Sequence, residues 1–90
     1  MSAEEWREIK QNVITRIERM FSNSRGDPQV VMTARKMAEG QWHKDNDQVA
    51  RQARIFLRKL VKEEAEKRNG DTGWRRWTNQ SLLRNAYYKG

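Results

Sequence analysis

Ninety residues leave room for one hydrophobic core, so a single compact unit is expected rather than a multidomain chain. The composition is 36% hydrophobic and 34% charged with no cysteine, which excludes a disulfide framework, a thiolate metal site and a cysteine nucleophile. The net charge of +7 asks for an acidic partner, either nucleic acid or an acidic protein segment.

The opening Met1-Ser2-Ala3-Glu4-Glu5 is acidic and lacks the apolar stretch of a secretory signal, and the protein is expected to be intracellular. Ser2 followed by Glu5 is a capping box, in which the hydroxyl takes a free backbone N–H of the first turn and the carboxylate reaches back. Apolar residues then fall at Trp6, Ile9, Val13, Ile14, Ile17, Met20 and Phe21, one stripe at a helical period. Arg7, Glu8, Lys10, Gln11, Glu18 and Arg19 make the opposite face, and the spacing predicts a helix over about residues 3–21.

Ser22-Asn23-Ser24-Arg25-Gly26 breaks that pattern with turn formers, and Asp27-Pro28 restarts it with an N-cap and a proline at the first helical position. The second helix, about 28–43, carries Val30, Val31, Ala34, Met37, Ala38 and Trp42, with Gly40 expected to weaken its last turn by up to about 1 kcal/mol relative to alanine. After the polar connection His43-Lys44-Asp45-Asn46, a third helix over 47–68 places Val49, Ala53, Phe56, Leu57, Leu60 and Val61 on one face. Asn69-Gly70 supplies its stop. Short connections imply that neighbouring helices pack on one another, so the expected fold is all-α, a three-helix bundle.

The remainder differs in character. Trp74-Arg75-Arg76-Trp77 follows the turn signal Asp71-Thr72-Gly73, and a short helix or ordered aromatic tail is expected over about 78–88 with Leu82, Leu83, Ala86 and Tyr87 inward. The chain therefore divides into a helical interaction domain, 1–70, and a basic aromatic extension, 71–90. No apolar run approaches the roughly 18 residues needed to span a bilayer, so no membrane role is expected.

Catalytic side chains are scarce. His43 is the only histidine and sits in a polar loop, so neither a histidine pair for zinc nor a cysteine–histidine pair exists, and no glycine-rich phosphate loop is present. Glu63, Glu64 and Glu66 among Lys59, Lys62 and Lys67 read as a solvated, ion-paired helix end. No catalytic residue, metal or cofactor is expected, and the protein is read as a binding domain rather than an enzyme.

Binding has two candidate surfaces. Residues 46–90 carry eleven Lys/Arg against five Asp/Glu (+6), whereas residues 1–45 carry eight against seven (+1). Arg51, Arg54, Arg58 and Lys62 recur along the third helix beside its apolar face, where they are an ordinary charged flank, phosphate contacts, or clamps for acidic side chains. Trp74, Arg75, Arg76 and Trp77 read either as base-stacking and phosphate-gripping residues or as an anchor that folds the tail onto the bundle. In the second case Trp74, Trp77 and Leu82 would cover a surface that a partner helix would otherwise use.

Glu5-Trp6-Arg7 and the run Ile9-Lys10-Gln11-Asn12-Val13-Ile14-Thr15-Arg16-Ile17 resemble the opening of KIX domains, most of all those at the amino terminus of the Mediator tail subunit 15 family. Ala34, Met37, Glu39 and Trp42 are similar to the second helix of that family, and residues 46–68, ending Glu64-Ala65-Glu66-Lys67-Arg68, to its long third helix. Asp47-Gln48-Val49 departs from the acidic residue and tyrosine that usually open the third helix, and the extension from Asp71 has no counterpart. The resemblance implies a monomeric nuclear coactivator module that receives the acidic amphipathic helices of transcriptional activators between its first and third helices. Carried over by position, the groove would be lined by Ile9, Val13 and Ile17, and by Val49, Ala53, Phe56 and Leu57, with Arg16 at its edge. Ile17, Ala53 and Leu60 are expected in the core, and Ile9, Val13 and Phe56 partly exposed.

Overall fold

The computed structural model describes residues 2–41, 47–69 and 73–83, and every regular element among them is helical: α1 (Ala3–Ser22), α2 (Pro28–Ala38), α3 (Asp47–Asn69) and α4 (Trp74–Ser81). The capping box of α1 forms as its sequence dictates, with Glu5 N–H donating to Ser2 Oγ at 3.2 Å and Ser2 N–H donating to Glu5 Oε1 at 3.1 Å. Its other end closes with Ser24 in the left-handed region (φ 54°), Ser24 N–H on the Phe21 carbonyl and Arg25 N–H on that of Met20. Asp27 caps α2 by accepting from Gln29 N–H at 2.9 Å, with Pro28 behind it.

Two boundaries depart from expectation for local reasons. α2 ends at Ala38 rather than running to 43, because Gly40 (φ 73°) turns the chain left-handed. Gly40 N–H then meets the Met37 carbonyl and Gln41 N–H that of Lys36, the paired bonds that stop a helix. Trp42, assigned to that helix from sequence, lies outside the described residues, as does His43. α4 spans Trp74–Ser81, not 78–88. Gly73 (φ 78°) starts it, Trp74, Trp77 and Thr78 share its inner side, and the buried Thr78 hydroxyl donates to the Trp74 carbonyl at 2.7 Å. Leu82 and Leu83 follow the helix and are buried, while Ala86 and Tyr87 lie outside the described residues.

α1 and α3 run antiparallel. Arg68 meets Glu8 near one end, Asn12 meets Glu64 in the middle, and Met20 and Phe56 share a depression toward the other end. α2 is much shorter than its neighbours: 11 residues make about 17 Å of helix, against about 30 Å for α1 and 35 Å for α3. It packs along the C-terminal half of α1, where Arg35 reaches Glu18, and against α3. α4 folds back along α3 and meets the N-terminal end of α1 through Trp6. One core runs through all four helices, from Ile9, Val13 and Ile17 through Ala34, Met37, Ala53 and Leu57 to Leu82 and Leu83. Residues 73–83 are thus built into the core.

Candidate functional site

The sequence-derived groove residues divide sharply. Ile9, Val13, Ile17, Ala53 and Leu57 are wholly buried, so the expected partial exposure of Ile9 and Val13 is corrected. Small residues at the helix contacts, Ala34, Ala38, Ala50, Ala53 and Ala65, let the helices close over these side chains. Val49 and Phe56 keep partial exposure. These buried side chains do not form an open trough, and their contribution is cohesive: truncating Ile9, Ile17 or Leu57 to alanine would cost about 2–5 kcal/mol.

An open depression between α1 and α3 does exist, displaced toward the end of α1. It has a volume of about 470 Å³. Its walls are Arg16, Arg19, Met20, Asn23 and Arg25 on one side, and Phe56, Lys59, Leu60 and Glu63 on the other. Met20, Phe56 and Leu60 give it an apolar floor, while four cations and one carboxylate stand around it. Two of the sequence-derived site residues, Arg16 and Phe56, belong to it. The signal for the rest was present: Met20 and Leu60 lie in the apolar stripes, and Arg19 and Lys59 flank them.

Arg16 is not a free rim cation. Its guanidinium donates to Glu64 Oε2 and to Glu63 Oε1, both at 3.1 Å. Glu64 also accepts from Lys67 Nζ at 3.1 Å and from Asn12 Nδ2 at 3.4 Å. Burial works against the Glu64 charge, but hydrogen bonding and charge from Lys67 and Arg16 outweigh it, and the carboxyl sits below its ordinary value. The expected solvated helix end therefore holds only for pairs such as Lys62–Glu66, 4.0 Å apart and half-exposed; Glu64 is buried. Arg19, Arg25 and Lys59 remain exposed at the depression.

The second candidate surface is the other flank of α3. Arg51 and Lys62 are exposed, Arg54 and Arg58 partly so. Arg58 donates from Nε and Nη2 to Asn79 Oδ1 at 3.3 and 3.0 Å, joining α3 to α4. Arg75 and Arg76 are exposed, with the Arg75 guanidinium 5.3 Å above the Trp74 ring. Trp74 and Trp77 pack against the core, and Trp77 stacks on Trp6 at a centroid distance of 4.6 Å. Of the two sequence readings for this pair, the geometry matches the anchor.

Among the described residues no group of three or more His, Cys, Asp or Glu is placed to hold a metal ion, and no helix is long and apolar enough to cross a membrane. The fold and surface therefore define an all-helical bundle with two basic faces. Comparison with protein-family models, curated proteins and solved structures gives no match.

Proposed function

We propose that this protein is an interaction domain that receives an acidic amphipathic helix in the depression between α1 and α3. The observation that carries the reading is the apolar floor of Met20, Phe56 and Leu60 ringed by Arg19, Arg25 and Lys59. A short helix could bury one face there while its carboxylates meet the exposed cations, so burial gives affinity and charge gives encounter rate and orientation. The resemblance of α1 to KIX domains supports activator segments as the ligands and the nucleus as the setting. Binding would be weak, because a disordered segment must order itself at a cost of about 2–5 kcal/mol of the gross interaction energy.

The test is a titration of the isotope-labelled full chain with an acidic amphipathic peptide, followed by amide shifts. Shifts concentrated in residues 16–25 and 56–63 are expected, with affinity lost in Phe56→Ala and reversed charge preference in Arg19→Glu/Arg25→Glu. Shifts confined to other surfaces, or no binding at millimolar peptide, would refute it.

A further inference from the structure

The depression between α1 and α3 has two electrostatically different ends. The helices run antiparallel, so each step along α1 from Arg16 is matched by a step back along α3 from Glu63. At that end the Arg16 guanidinium is already met by Glu63 and Glu64, both at 3.1 Å, and it brings no unbalanced charge. One turn further on, about 6 Å along each axis, stand Met20 and Lys59, and Phe56 follows within another turn of α3. Arg19 sits in the last turn of α1, and Arg25 lies just past its end. Arg19, Arg25 and Lys59 are exposed and form no ion pair among the described residues. The C-terminus of α1 offsets only about half of one elementary charge, so this end of the depression stays positive.

We propose, resting on the reading of this depression as a helix-binding site, that it accepts its partner in one direction. The partner runs parallel to α1 and carries its acidic residues in and after its last turn. Two features of such a helix are negative at its C-terminal end, the carboxylates and the free carbonyls, and both then face Arg19, Arg25 and Lys59. Its free N–H groups come to the other end, where the partly exposed Glu63 carboxylate stands. In the reverse direction those N–H groups would face the cations and the carbonyls would face Glu63. The floor sets the spacing: Glu63 to Phe56 is about 10 Å of α3, roughly two turns. Apolar residues at i, i+4 and i+7 of the partner cover that length over Met20, Phe56 and Leu60. Carboxylates at a C-terminal end oppose the partner's own dipole, so such a segment is a poor helix when free and gains its helix on docking. The surface therefore selects against the segment that is the better helix in solution, one with its acidic residues first.

The experiment uses the full chain and a pair of end-blocked peptides of identical composition. Both carry leucines at i, i+4 and i+7, with glutamates grouped either before or after them. The acid-last peptide should bind at least about threefold more tightly at low salt, although it is the less helical when free. Its advantage should shrink as salt rises. A nitroxide at its C-terminus should broaden amides of residues 19–25 most strongly, and one at its N-terminus those near Arg16 and Glu63. Arg25→Ala/Lys59→Ala should abolish the preference, with unchanged thermal unfolding as the check on folding, whereas Phe56→Ala should weaken both peptides alike. Equal affinities, a preference for the acid-first peptide, or the reversed broadening pattern would overturn the direction while leaving the site in place. Binding of neither peptide, or amide shifts away from residues 16–25 and 56–63, would remove the site itself and the direction with it.

Discussion

Trp6, at the end of the first turn of α1, and Trp77, in α4, stack with ring centroids 4.6 Å apart and planes 13° from parallel. This pair joins α4 to the N-terminal end of α1. Both rings are partly buried, so truncation of either to alanine should cost about 2–3 kcal/mol, below the cost at a fully buried site. The double variant should lose less than the sum, with a coupling of about 0.5–1.5 kcal/mol in urea unfolding. Strictly additive losses would mean that the two rings act independently and that the stack is not what holds α4.

Glu64 should make stability depend on acid pH. Its carboxyl lies below the ordinary value in the folded state because Lys67 and Arg16 outweigh the effect of burial. A carboxyl depressed on folding contributes stability that is fully present above its unfolded pKa, about 4–5, and is lost as pH falls through the folded value. The Glu64→Gln variant should therefore be less stable than the native chain at pH 7, with the difference closing as pH falls below the usual carboxylate range. Glu5 is lowered too, chiefly by the hydrogen bond from the Ser2 backbone, so the Gln variant keeps some acid sensitivity. Urea midpoints at several pH values measure this; a gap that stays constant with pH would contradict the proposed node.

What could be read in the sequence follows from how local each determinant is. Ser2 with Glu5, and Asp27 with Pro28, set their helix starts through neighbours within three residues, and both form as expected. The apolar stripe of α1 was equally legible, but how deeply Ile9 and Val13 lie depends on how closely α3 approaches, a property of side chains forty or more residues away in sequence such as Ala53. Arg16 shows the same limit. Its place beside the apolar stripe of α1 was legible, yet its engagement with Glu63 and Glu64 depends on the antiparallel register of two helices. The tryptophan pair in the extension allowed either an anchor or a base-stacking pair and did not name Trp6 as a partner, since that contact joins elements about seventy residues apart.

Gly40 separates two opposite expectations. If it merely weakened a helix interior, alanine there would stabilise the protein by up to about 1 kcal/mol. In the structure its φ is 73° and nothing lies within 4 Å of where a Cβ would sit, so alanine would meet no clash but would be held in the left-handed region. Gly40→Ala should then destabilise by about 1 kcal/mol, and Gly40→Asn by less, since asparagine tolerates that conformation. Chemical denaturation of the two variants decides it; a stabilising alanine would mean that α2 continues past Ala38.

Truncation of the extension should not free the α1–α3 depression. α4 covers Trp6 near the start of α1 and the Arg58 flank of α3, whereas the depression lies at Arg16–Arg25 and on the Phe56 flank. A sequence-level expectation that Trp74, Trp77 and Leu82 shield a partner's site thus predicts higher peptide affinity on deletion, whereas the geometry predicts no gain for this surface. Removal of residues 71–90 would also strip Leu82 and Leu83 from the core, each worth about 1.5–3 kcal/mol of burial, a large share of what so small a domain possesses. Deletion would therefore confound affinity with unfolding. Trp77→Ala is the cleaner variant, since it loosens α4 while leaving both leucines in place. Calorimetric titration of this variant with an acidic peptide, well below its unfolding temperature, should give the native affinity. A several-fold tighter association would show that α4 reaches over the peptide site after all, and would make its release from Trp6 the controlling step of binding.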